Sequence, residues 1–136
     1  LVLAQAQVTL ASARGTRTVS VTDLTIAADE LMLAVHLPKP EGDRSGYASI
    51  RRVALGPALT AVAMTMTPAG WLVAVRAGGV AVQLLGPCTA AVLPALLEAE
   101  VTAIADAHAG ARYRAAMVQV LTRRLATRLA DDAPAG

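Results

Sequence analysis

From Gln7 the apolar residues Val8 and Leu10 alternate with Thr9, Ala11 and Ser12 continue the segment, and a second run from Thr18 to Val21 follows a turn at Gly15. A period of two is that of an extended strand, so the stretch predicts a β-hairpin. After Asp29-Glu30 comes the apolar run Leu31-Met32-Leu33-Ala34-Val35-His36-Leu37. It predicts a strand closed by Pro38 and Pro40, which lack the N–H needed to continue a ladder. Lys39 to Gly46 reads as a polar loop.

Beyond the loop come Tyr47-Ala48-Ser49-Ile50-Arg51-Arg52 and then Ala61 to Thr67, where Met64 and Met66 alternate with Thr65 and Thr67 as in a strand with one wet face. Thr67-Pro68-Ala69-Gly70 turns the chain, and Trp71, Val73 and Val75 alternate with Leu72, Ala74 and Arg76 on the return, predicting a second hairpin. Gly78-Gly79 breaks the pattern, Val80 to Leu85 reads as another short strand, and Gly86-Pro87 ends it.

The period then lengthens. Val92, Leu93, Leu96, Leu97, Val101 and Ile104 recur at helical spacing up to a loop around His108 and Gly110. A last helix, about Ala111 to Leu129, carries Val118, Leu121, Leu125 and Leu129 on one stripe and Arg123, Arg124 and Arg128 elsewhere. Asp131 to Gly136 has no apolar period and reads as a frayed tail. Strands first and helices last, without regular alternation, predict an α+β fold: an antiparallel sheet of short strands covered on one face by two C-terminal helices.

Composition narrows the functions. The 136 residues fit one domain, or one small domain with an appended piece, and are 55% hydrophobic with no Phe, one Trp and two Tyr. The core must therefore be aliphatic, and stacking on nucleic-acid bases has little to work with. A net charge of +2 is too small for a polyanion-binding chain. A single cysteine, Cys88, permits no internal disulfide and no cysteine metal cluster, which makes a reducing cytoplasm the simplest compartment. Two uncharged stretches, Val53 to Val75 and Ala77 to Leu97, are long enough to span a membrane. Gly56, Pro57, Pro68, Gly70, Gly86, Pro87 and Pro94 interrupt them, so a membrane hairpin is the weaker reading. The opening Leu1-Val2-Leu3-Ala4-Gln5 reads neither as a signal peptide nor as a natural start, so a fragment or a truncated subunit is expected.

Catalysis by nucleophile or acid-base pair has few candidates. His36 falls in an apolar strand, His108 in a polar loop, and Cys88 has no cationic cluster near it in sequence. Gly78-Gly79-Val80-Ala81 lacks the further glycines and the Lys-Ser or Lys-Thr pair of a phosphate loop and reads as a tight turn. The residues by themselves thus predict an α+β domain that binds or assembles with something.

Several stretches, in order, resemble the FAD-carrying medium subunit of molybdenum hydroxylases of the carbon monoxide dehydrogenase and xanthine dehydrogenase type. Val8 to Val19 is similar to the late FAD-domain hairpin of that family, and Ala28 to Pro38 to its Asp-Glu-Leu-Leu strand. Tyr47 to Arg52 resembles the segment that opens the family's C-terminal domain, and Gly78-Gly79-Val80-Ala81 a later Gly-Gly-Val-Ala motif. Gly110 to Val118 followed by Leu121 to Leu125 is similar to its closing helix.

The resemblance implies that residues 1–40 are the end of an FAD-binding domain, 41–130 a CO dehydrogenase flavoprotein C-terminal-like domain, and 131–136 a tail. It implies a part in relaying electrons from a molybdopterin subunit, through the iron-sulfur clusters of another subunit, to FAD, with no catalytic chemistry of this chain's own. Met32 falls where relatives make a backbone contact to flavin. The lysine that approaches the flavin in relatives falls on Ser49, with Arg51 nearby as a substitute cation. The family's glycine-rich FAD pyrophosphate loops lie N-terminal to anything in this chain, and its aromatic stretch between Leu24 and Ala28 is missing here. FAD binding is therefore expected to depend on that N-terminal part. The competing expectation is a free-standing, non-catalytic assembly or ligand-binding module with this fold. Neither nucleic-acid binding nor membrane insertion is expected.

Overall fold

The computed structural model describes residues 3–38, 44–79 and 81–131. The chain divides into two units, Leu1–Pro40 and Glu41–Gly136.

In the first unit, strand β1 (Gln7–Ser12) pairs antiparallel with β2 (Gly15–Ser20), from Gln7 opposite Ser20 to Ser12 opposite Gly15. Gly15 takes φ of +128°, a conformation that other residues rarely adopt, and so closes the tight turn at Ala13-Arg14. On its other edge β1 pairs antiparallel with β3 (Leu31–His36). The register shifts between Thr9 and Leu10, which pair with Ala34 and Met32 and leave Leu33 as the extra residue of a bulge. Ala6, Val8 and Leu10 are buried, yet every residue of β3 is exposed. A strand that is apolar at nearly every position is normally covered on both faces; this one has neither face covered.

Arg17 ties the long β2–β3 connection down. Its Nε donates to Glu30 Oε1 at 2.5 Å, and its Nη2 to Glu30 Oε2 at 2.8 Å and to the Thr25 carbonyl at 2.7 Å. Glu30 also accepts the Ala27 N–H at 2.8 Å.

The second unit holds a four-stranded antiparallel sheet in consecutive order, β4 (Arg44–Arg51), β5 (Ala58–Thr67), β6 (Gly70–Arg76) and β7 (Gln83–Cys88). Helices α1 (Leu93–Glu100) and α2 (Ala111–Asp131) close one core with it. Val62, Met64, Val73, Val75 and Leu85 from the sheet meet Leu93, Leu97, Val118, Leu121, Leu125 and Leu129 from the helices. Each such aliphatic side chain contributes about 1.5–3 kcal/mol through removal from water. The α2 stripe thus packs as its spacing predicts, and Arg123, Arg124 and Arg128 stay exposed. The last turn of α2 reaches back to β4: Arg44 Nη1 donates to the Leu129 carbonyl at 3.0 Å, satisfying a group that the helix end leaves without a partner.

The α+β expectation holds, with the two helices on one face of an antiparallel sheet, although the first three strands form a sheet of their own. Four local readings change. The helix predicted to run through Val101 and Ile104 stops at Glu100, and Val101 is extended. Gln83 grips the chain beyond it, donating to the Thr102 carbonyl at 2.8 Å and accepting the Thr102 N–H at 2.7 Å, while the Ile104 N–H donates to the Ala77 carbonyl at 2.8 Å. These contacts take the backbone groups that another helical turn would need.

Strand β7 runs through Gly86-Pro87 instead of ending there. It is an edge strand, the register against β6 shifts at this point, and proline is tolerated at such a place. Strand β4 begins at Arg44, inside the predicted loop. Thr65 is buried rather than wet, its hydroxyl donating to the Arg44 carbonyl at 3.2 Å. Residues 39–43 of that loop, the predicted strand start at Val80, and residues 132–136 of the predicted tail lie outside the described residues.

Candidate functional site

Met32 lies on β3 opposite Leu10 and is 46% exposed, in the first unit. Ser49 and Arg51 both lie on β4 of the second unit. Ser49 is half-buried and pairs with Ala61. Arg51 is the exposed last residue of the strand, beyond a register shift at Ile50, and its Nη1 turns to the Ala54 carbonyl at 3.5 Å in the turn that follows.

The pleat explains what surrounds Ser49. Val62, Met64, Val73 and Val75 face the helices, so their alternating neighbours leave on the opposite face. One cross-strand row there is Ser49, Ala61 and Arg76; the next is Tyr47, Ala63, Ala74 and Leu84. Small alanines make the middle of this face, with a hydroxyl, a phenol and a guanidinium at its margins. Arg76 is anchored by its Nε, which donates to the Gly79 carbonyl at 2.9 Å. A flat ring would find an apolar floor and polar edges there, so the face fits the ring of a flavin. The chain contains no glycine-rich loop for a pyrophosphate. Sequence reading singled out Arg51 and missed Arg76, although the alternation with Val73 and Val75 already placed Arg76 on the face away from the core.

The other candidates lie elsewhere in the fold. His36 ends β3 and His108 lies in the loop before α2, both exposed. Burial pushes the Cys88 thiol up, away from the thiolate that a nucleophile requires. Among the described residues no three His, Cys, Asp or Glu side chains cluster as metal ligands, and no helix is long and apolar enough to cross a membrane. A shallow hollow of about 320 Å³ between Ser12, Arg14, Arg17, Ala27, Asp29 and Glu30 is lined by charges already engaged with one another. Arg17, followed by the Ala27 N–H, holds the Glu30 carboxyl well below the carboxylate range, at about 2.

Two antiparallel sheets and a C-terminal helix pair are an arrangement found in chains of oxidoreductase and dehydrogenase structures. Quinoline 2-oxidoreductase from Pseudomonas putida 86 is similar over 96% of this chain and 54% of its own, with a TM-score of 0.80 and 18% identity. CO dehydrogenase from Oligotropha carboxidovorans is similar over 97% of this chain and 55% of its own, with a TM-score of 0.77 and 23% identity. Carbon monoxide dehydrogenase from Hydrogenophaga pseudoflava, in a form lacking the Mo-pyranopterin moiety of its molybdenum cofactor, gives a TM-score of 0.77 at 17% identity over 94% of this chain. At such identities the likeness is one of fold, and the chain spans about half the length of these solved chains. No protein-family model and no curated protein matches the sequence.

Proposed function

We propose that the chain is the C-terminal part of the flavin subunit of a molybdenum hydroxylase, supporting FAD and subunit assembly in a cytoplasmic electron-transfer complex. The observation that carries this reading is fold likeness over 97% of the chain to a CO dehydrogenase, coinciding with an ordered series of family-like motifs. The bare apolar strand β3 supports it as well, since such a strand calls for a covering polypeptide. In this reading residues 1–40 close an FAD-binding domain and residues 41–130 form the domain after it. An iron-sulfur subunit and a molybdopterin subunit are the partners.

FAD, when bound, supplies the redox chemistry. The chain's own part is to contribute flavin contacts: the backbone at Met32 in the first unit and, in the second, the Ser49 hydroxyl with a nearby cation, for which Arg51 is the sequence-based choice.

The visible spectrum of the purified chain, taken before and after FAD addition and gel filtration, tests the proposal. Recovery of the chain alongside iron-sulfur and molybdopterin subunits on co-expression is expected; retained flavin would mean that this chain's own residues suffice to hold the ring. A colourless chain that stays alone and unfolds cooperatively would favour instead a free-standing assembly or ligand-binding module, a reading helped by the self-contained core of the second unit.

A further inference from the structure

We infer that Arg76, rather than Arg51, is the cation that meets the flavin ring beside Ser49; the inference rests on the flavin reading above and names a contact residue for that site.

Strand register carries the argument. Ser49 pairs with Ala61 and Ala61 with Arg76, so the three form one row across β4, β5 and β6. Two strand spacings put Ser49 and Arg76 roughly 10 Å apart at their backbones. Between them stands only a methyl group, so a planar ring laid over Ala61 reaches the hydroxyl at one margin and the guanidinium at the other. The neighbouring row continues the floor with Ala63 and adds Tyr47 at the β4 margin.

Arg76 is also held in place. Val75 beside it is fully buried on the helix side, which commits Arg76 to the other face. Gly78 and Gly79, with φ of +94° and +63°, fold the chain so that the Gly79 carbonyl accepts from Arg76 Nε at 2.9 Å. That bond uses one of five donor hydrogens and leaves the Nη groups for a ligand. Among the described residues no carboxylate pairs with it. Arg51 differs on each point: it ends its strand beyond a register shift, is exposed, and turns to the Ala54 carbonyl.

With a flavin bound, a guanidinium at that margin would favour the form of the ring that carries negative charge.

The test is titration of the purified chain with riboflavin and with FMN, followed by the shift of the flavin band and by equilibrium dialysis. The variants are Arg76→Lys, Arg76→Gln, Arg51→Gln and Ala61→Leu, each first checked for native circular dichroism. Arg76→Gln keeps a donor for the Gly79 carbonyl and removes the charge together with the Nη donors. It should weaken binding about tenfold or more, the loss of a charge-assisted contact. Arg76→Lys should restore part of the affinity, Arg51→Gln should change it less than about twofold, and Ala61→Leu should block binding by filling the floor. Loss of affinity with Arg51→Gln and none with Arg76→Gln would overturn the inference while leaving the flavin reading standing. A folded wild-type chain that binds neither probe would also overturn the inference, while the flavin-subunit reading would then stand or fall on recovery with the partner subunits.

Discussion

Arg114 and Asp106 form an ion pair of unequal partners, Nη2 standing 2.5 Å from Oδ2 with the guanidinium side chain 2% exposed and the carboxylate 42%. The contact is ionic rather than a directed hydrogen bond, for Nη2 has no partner of hydrogen-bonding geometry. Nη1 of the same group donates to the Leu59 carbonyl, and Nε reaches the Ala109 carbonyl at 3.4 Å. One buried arginine thus joins the start of β5, the loop after α1 and the first turns of α2.

Replacing Arg114 by Met should lower stability by about 3 kcal/mol, from the lost hydrogen bonds and imperfect refilling of the space. Asp106→Asn, which leaves the buried cation without its counter-charge, should also lower the urea midpoint. Urea unfolding of the two variants checks this; unchanged midpoints would mean that the pair is not holding the loop.

Gly78→Ala should be the costlier of the two glycine substitutions in the β6–β7 turn. A Cβ at Gly78 would stand 2.3 Å from the Ile104 carbonyl oxygen, on a backbone with φ of +94°. At Gly79 it would meet only the end of the Ile104 side chain, at 3.2 Å. Thermal unfolding should give losses of about 2–4 kcal/mol for Gly78→Ala and about 1 kcal/mol for Gly79→Ala.

Acid should loosen the β2–β3 connection. Glu30 is held at about 2, against 4.5 for an unperturbed glutamate, first by Arg17 and then by the Ala27 N–H. A carboxyl lowered in the folded state contributes stability that is fully present above its ordinary value and is lost as pH falls toward its folded value. The window therefore runs from 4.5 down to about 2. Protection of the Ala27 amide against exchange, corrected for intrinsic rate, should fall through that window and should be low and pH-independent in Glu30→Gln. Protection that ignores pH in the wild type would count against the Arg17–Glu30 clamp.

Leu33 is the bulge residue of β3 and 61% exposed, so Leu33→Lys should alter stability by less than about 0.5 kcal/mol. It should nevertheless reduce binding of an apolar dye and self-association of the isolated chain, read by sedimentation, and weaken recovery with partner subunits. Equal dye binding and association by the two proteins would mean that β3 is not the adhesive surface.

The elements legible in the sequence are those whose pattern has a local cause. The stripe from Val118 to Leu129 and the β5–β6 hairpin need only their own periodicity and the turn at Pro68 to Gly70. The end of α1 was not legible, since Val101 and Ile104 prolong the helical period and the group that overrules it is the Gln83 amide, 19 residues away. The burial of Arg114 was not legible either, because nothing near it in sequence announces the carbonyl of Leu59, 55 residues earlier. For the candidate site, resemblance pointed to β4 through Ser49. Its neighbour Arg76 comes into the row only through two strand pairings whose register the sequence does not state.

The bond from Arg44 to the Leu129 carbonyl joins positions 85 residues apart. A ribosome delivers the first strand of the four-stranded sheet long before the helix turn that completes it. During synthesis β4 can pair with β5, but its place beside the end of α2 stays open until α2 has emerged. A truncation of α2 ahead of Leu125 would remove Leu125 and Leu129 together, and with them one wall of the core.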